Sequence, residues 1–210
     1  MKSALLGLGA AAILFPWVFR SKNGNFWARM PLVAGGLGML AMRARPELRD
    51  QSPTAIDIAT GVASAIGLYG IFQIGDRFAR QTMPRGTEDI GDIYDLRQSA
   101  PRWLIAGLLA GIIAPCEELF WRGLLHDSFA RRFGRFRGAA LASLCYGAVH
   151  LGSGNLTLTG AAGVAGAFWG LQYAFQRRLP ALIVSHIVWD IWIFLIAPTP
   201  GVRSSREASP

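Results

Sequence analysis

Between about Trp103 and Leu125 the sequence stays apolar for the length of a membrane helix, yet its middle reads Pro115-Cys116-Glu117-Glu118-Leu119-Phe120-Trp121-Arg122-Gly123. No other stretch constrains the fold as tightly. A carboxylate or guanidinium at the centre of a membrane helix costs roughly 3 kcal/mol on insertion scales, so three together cost roughly 9 kcal/mol when unpaired. Such groups survive in a membrane helix only where they pair, face a wet cavity or do chemistry. Glu118 and Arg122 are four residues apart and share a helix face, so they are expected to pair. Glu117 points about 140° away from Arg122, at ~100° per residue, and has no local partner. Pro115 removes one backbone hydrogen bond just upstream and loosens the helix there.

The rest of the chain fits a membrane setting. Its 210 residues are 52% hydrophobic, and the mean hydropathy is +0.33. Several apolar runs recur, so the chain reads as all-α: one polytopic membrane domain over residues 1–210, a helical bundle with about seven transmembrane helices. The net charge is +8, but the arginines gather at the ends of the apolar runs, where they meet lipid headgroups. That placement argues against nucleic acid and for the bilayer as partner. Cys116 and Cys145 lie inside apolar runs and imply no disulfide framework.

In chain order, spans are expected over about 4–19, 26–42, 54–74, 103–130, 138–151, 158–175 and 181–197. The first reads as a retained helix and not a cleaved signal. Ser52-Pro53 opens the third, and Asp57 sits in its first turn near the positive helix end. The polar segment 76–102 reads as a short interfacial helix with Ile90, Ile93, Tyr94 and Leu96 on its apolar side, or as a solvated loop. Residues 1–75 thus supply three additional spans, and 103–197 hold the polar signatures. Gly166 and Gly170 form a close-approach pair. The tail from Pro198 is expected to fray. Loop charges divide evenly between the two sides, and the short Arg131, Arg132, Arg135, Arg137 loop favours a cytoplasmic placement with the N-terminus inside.

Out-of-place polar groups occur on three spans: Glu117, then His150, then His186 and Asp190. At 1.5 Å per residue they lie about 21, 18, 9 and 15 Å from the same membrane face, so one slab near mid-bilayer holds them all. His186 and Asp190 share a helix face, and Asp190 can hold the imidazole in one tautomer. Tyr146 and His150 share another. His126 lies on the opposite side of its helix from Glu117 and reads as a residue of the membrane edge. A carboxylate and an imidazole can activate one water, and a second imidazole can donate to the oxygen of a tetrahedral intermediate, which suffices for amide hydrolysis. Two histidines with one or two carboxylates can instead bind Zn2+ and keep a position for water. No ligand set is assigned; if a metal is present, Glu117, His150 and His186 are its ligands. Spacing alone leaves both chemistries open.

Glu117-Glu118-x-x-x-Arg122, Tyr146-x-x-x-His150 and His186-x-x-x-Asp190 resemble the EExxxR, FxxxH and HxxxN/D signatures of the CAAX protease and bacteriocin-processing (CPBP, or Abi) family. The resemblance covers about 103–197. It implies an intramembrane endopeptidase in which Glu117 and His150 activate water, His186 and Asp190 line the oxyanion side, and Glu118 and Arg122 brace the site. The family is often labelled metal-dependent, but its members also look like metal-free glutamate proteases, the reading preferred here. Tyr146 stands where Phe is usual. Asp190 stands where prenyl-processing members have Asn, and an ionised Asp cannot donate to an oxyanion. The short loops look prokaryotic, so the expected substrate is another membrane-associated protein or peptide, in a prokaryotic cell membrane. The alternative is a binding or immunity protein that keeps the fold without proteolysis.

Overall fold

The computed structural model describes residues 1–20 and 26–199. It is 89% helical with no strand among the described residues. Seven long helices and one short one follow in order: α1 (Lys2–Phe19), α2 (Phe26–Ala44), α3 (Ala55–Thr82), α4 (Gly86–Asp95), α5 (Arg102–Phe133), α6 (Arg135–Val149), α7 (Leu156–Gln176) and α8 (Leu179–Ile196). Four of them, α1, α3, α5 and α8, are long and apolar enough to cross a membrane. Large apolar side chains cover their outer surfaces, among them Leu6, Ile13, Ile56, Ile66 and Ile74. Water would penalise such a surface and lipid does not. The chain is an integral membrane protein.

Local chemistry sets the helix ends. Thr54 and Asp57 form a reciprocal cap at the start of α3: Asp57 N–H donates to Thr54 Oγ1 at 3.2 Å, and Thr54 N–H to Asp57 Oδ2 at 2.9 Å. Arg178 closes onto the same carboxylate from the start of α8. Asp57 is thus both a cap and a tie between helices, more than its position in the first turn implied. Asn155 caps α7 by accepting from Leu158 N–H at 2.7 Å. Gly134, at φ 85°, turns the chain sharply from α5 into α6 in a conformation that side chains with a Cβ rarely adopt.

α5 is the hub of the bundle. It packs against α2, α6 and α8, with further contacts to α1 and α7, while α3 lies along α8 and α6 along α7. It is not a uniform α-helix. Wide π-type turns occupy Leu109–Ile113 and Leu119–His126, and the α-helical turn Ala114–Glu118 lies between them. Pro115 accounts for the first: it donates no backbone bond, and its ring crowds the carbonyl four residues back. Such insertions in a helix recur at functional sites.

Three expectations need correction. Of the two readings of 76–102 the short helix holds and the solvated loop does not: α3 runs on to Thr82, and α4 buries Ile90 and Tyr94, together with Asp89. Asp89 is held there by Thr157 Oγ1 at 3.1 Å. The chain does not fray at Pro198, because Thr199 is buried and donates to Asp76 Oδ1 at 2.8 Å; residues 200–210 lie outside the described part. His126 does not face outward as a residue of the membrane edge would. It is fully buried, edge-on to the Tyr173 ring at 5.1 Å. The wide turn through Leu119–His126 changes the angular spacing on which its outward placement rested.

Candidate active site

Glu117 and Glu118 emerge from the short α-helical turn of α5 towards different neighbours. Glu118 is fully buried, and its Oε1 accepts from Arg122 Nη1 and from His186 Nδ1, each at 2.8 Å. A carboxylate paired to a guanidinium only accepts, so Nδ1 of His186 carries its proton, and a neutral His186 directs the lone pair of Nε2 to the other edge of the ring. The expected Glu118–Arg122 pair is present. The orienting role expected of Asp190 falls to Glu118 instead, since Asp190 Oδ2 lies 3.6 Å from His186 Nε2, beyond a direct hydrogen bond.

Arg122 is packed as tightly as its partner. Its guanidinium sits 5.1 Å from the Tyr146 ring and 5.4 Å from the Trp169 ring, and Nη2 donates to Gly166 O at 3.3 Å. Trp169 also stacks on His186 at 4.1 Å, with planes 29° apart. A chain of hydrogen bonds anchors that indole: Trp169 Nε1 to Ser185 Oγ at 3.0 Å, Ser185 to Ser64 at 3.0 Å, and Ser64 to Gln172 at 2.5 Å. α3, α7 and α8 therefore fix the His186 ring from behind.

Glu117 has a different environment. It is 4% exposed, and no Lys or Arg pairs with it among the described residues. Its Oε2 accepts from Tyr146 Oη at 3.3 Å and lies 3.9 Å from His186 Nε2. Its Oε1 is buried without a partner. The spacings of 3.6 and 3.9 Å from Nε2 to Asp190 and Glu117 are ones a single water can bridge. His150 enters beside Tyr146. Its Nδ1 donates to the Tyr146 carbonyl at 2.8 Å, which leaves Nε2 as the lone-pair nitrogen of the neutral ring. Its ring lies 5.0 Å from that of Tyr146. Tyr146 thus joins the two halves of the cluster, through its phenol to Glu117 and its backbone to His150. The structure brings together Glu117, Glu118, Arg122, Tyr146, His186 and Asp190 by direct approach, and His150 through Tyr146.

Close helix approach makes this possible. A Cβ on Gly166 would lie 2.9 Å from Tyr146 Cδ1, and one on Gly170 would lie 2.6 Å from Ser143 Oγ. The close-approach pair read from the sequence is thus the seam that seats α6 against α7.

Other contributors carry no motif. Phe15 and Phe19 of α1 pack on His150 at 5.2 and 5.5 Å. α1 is held there by Arg20, whose Nε donates to Gly152 O at 2.8 Å, and by Pro16 against Gly152. Asp127 is fully buried and accepts from Arg45, Arg131 and Arg177. Only its place four residues before Arg131 was visible in the sequence.

Among the described residues, no group of three or more His, Cys, Asp or Glu side chains is arranged to hold a metal ion. Glu117, His150 and His186 thus do not form such a group.

A polytopic helical bundle with an unpaired acid, two imidazoles and a braced ion pair at its centre defines a class: membrane proteins equipped for polar chemistry away from bulk water. Comparison with known families makes this narrower. Residues 97–192 match the family described as type II CAAX prenyl endopeptidase Rce1-like. The family read from the three motifs is thus the one whose model these residues match, and that match supports a CAAX-type intramembrane protease at the level of the family. Searches of curated proteins and of solved structures found no match.

Proposed function

We propose that the protein is an intramembrane endopeptidase that hydrolyses a peptide bond of a membrane-associated protein or peptide, with residues 103–197 as its catalytic core. Glu117 is the general base, assisted by His150: together they take a proton from water as its oxygen attacks the carbonyl carbon. His186, held at Nδ1 by Glu118, turns Nε2 towards the developing oxyanion and stabilises it when that nitrogen is protonated. Asp190 stands 3.6 Å from the same nitrogen and is placed to exchange that proton. When the C–N bond breaks, the proton held by Glu117 or His150 passes to the leaving amine. Glu118 and Arg122 position His186 and do not touch substrate.

One observation carries this reading. Glu117 is buried and aimed at His186, and among the described residues no guanidinium neutralises it. A purely structural acid at that depth would be paired as Glu118 is. The natural substrate is proposed to be a membrane peptide or protein of a prokaryotic cell, not a prenylated one.

The test compares membrane peptides that accumulate in a Glu117→Ala strain with those of the parent, alongside cleavage of a reporter so identified by purified Glu117→Ala and His150→Ala. Loss of cleavage in both, with the proteins folded and inserted, supports the proposal. Unchanged cleavage refutes it. A protective activity that survives Glu117→Gln would favour the non-proteolytic reading.

A further inference from the structure

Away from the cluster, the basic end of the bundle holds a groove of about 300 Å³ where the start of α1, the end of α2 and the last turns of α5 meet. Ser3, Arg45, Ser128, Arg131 and Arg132 form its polar walls, and Leu124 lies deeper along α5. Its size is at the lower edge of that of ligand pockets. We propose that this groove binds the phosphate of an anionic glycerophospholipid.

Arg45 and Arg131 are held in place before any ligand arrives. Asp127, fully buried beneath them, accepts from Arg45 and from Arg131 Nε, and Arg45 also donates through Nε to Glu47 at 2.5 Å. Those bonds leave the terminal nitrogens of Arg131, one terminal nitrogen of Arg45 and the whole Arg132 guanidinium without hydrogen bonds among the described residues. The hydroxyls of Ser3 and Ser128 likewise make none there. With Arg177, which also reaches Asp127, three guanidiniums meet two carboxylates and Arg132 adds a fourth positive charge, so positive charge remains for an anion. Forked N–H donors match the unesterified oxygens of a phosphodiester.

Two features favour a lipid over free phosphate. The groove opens at an end of α1 and α5, both apolar enough to span a membrane, which is headgroup depth. Met1, Ala44 and Leu124 add apolar lining, and Leu5 and Leu6 of α1 are 51% and 72% exposed, a surface along which acyl chains can run. A lipid seated there would tie α1 and α2 to α5, the helix that carries Glu117.

The experiment uses the full chain in neutral detergent. Retention of phosphatidylglycerol is measured by native mass spectrometry, and thermal unfolding is followed with phosphatidylglycerol, phosphatidylcholine or inorganic phosphate added. Phosphatidylglycerol should bind and raise the unfolding temperature, with phosphatidylcholine and inorganic phosphate well behind. Arg132→Gln removes charge-assisted donors from an exposed side chain and should weaken phosphatidylglycerol binding about tenfold. Arg137→Gln, at an exposed arginine of α6 outside the groove, should leave it unchanged. Equal stabilisation by phosphatidylcholine or by inorganic phosphate, or equal weakening by the two variants, overturns the proposal.

Discussion

The Glu118–Arg122–His186 group allows one prediction to be worked through. Glu118→Gln keeps the shape of the side chain and removes its charge. His186 Nδ1 can still donate to the amide oxygen, so that bond persists in weaker form. Arg122 loses its only carboxylate partner among the described residues and is left buried between Tyr146 and Trp169 with neutral acceptors alone, the amide oxygen in place of Oε1 and Gly166 O at 3.3 Å. Breaking one side of a buried pair costs about 3–5 kcal/mol, because the other charge stays desolvated. In the unfolded state the pair lies within one helix that opens to water, where it is worth only about 0.3–0.5 kcal/mol, so the loss falls on the folded state. Glu118→Gln should therefore destabilise by about 3 kcal/mol, and Arg122→Met by a similar amount. The double variant Glu118→Gln/Arg122→Met removes both charges and should be more stable than the sum of the single changes implies, by at least about 1.5 kcal/mol. Unfolding of the purified protein in mixed micelles, by denaturing detergent with tryptophan fluorescence as readout, measures all four corners of the cycle. Single losses under about 1 kcal/mol, or additivity in the double variant, would refute the claim that this ion pair is desolvated.

Glu117→Gln should behave in the opposite way: little change in the same unfolding assay, because no ion pair is broken, and about 10²–10⁴-fold slower reporter cleavage, the usual contribution of a general base. Tyr146→Phe removes only the 3.3 Å donor to Glu117 and should change cleavage by less than about tenfold. Gly166→Ala forces a methyl to within 2.9 Å of the Tyr146 ring and should cost about 1–3 kcal/mol of stability, with slower cleavage as Tyr146 moves. Gly170→Ala meets the end of the Ser143 side chain, which can rotate, and should cost less in the same unfolding measurement.

Much of the helical bundle was legible because lipid imposes a coarse rule that a sequence cannot hide. Backbone groups in hydrocarbon must bond within their own helix, so apolar runs become helices, and arginines mark where they end. The same rule made Glu117, Glu118, His150, His186 and Asp190 conspicuous, since each is costly unless it meets a partner or does work. Spacing of four residues identified the Glu118–Arg122 pair correctly, because partners on one helix are set by helix geometry alone.

The sequence by itself determined that acids and imidazoles stand on three apolar helices, and the burial cost of charge is the reason this could be read without coordinates. Which group pairs with which was decided by tertiary packing. His186 is oriented by Glu118 across two helices and not by Asp190 on its own, His126 turns inward with the wide turn of α5, and Phe15 and Phe19 cover His150 from a helix without any signature. Contacts between helices depend on rotation and close approach, which the seam at Gly166 and Gly170 and the wide turn before Pro115 set, and no one-dimensional spacing encodes those offsets.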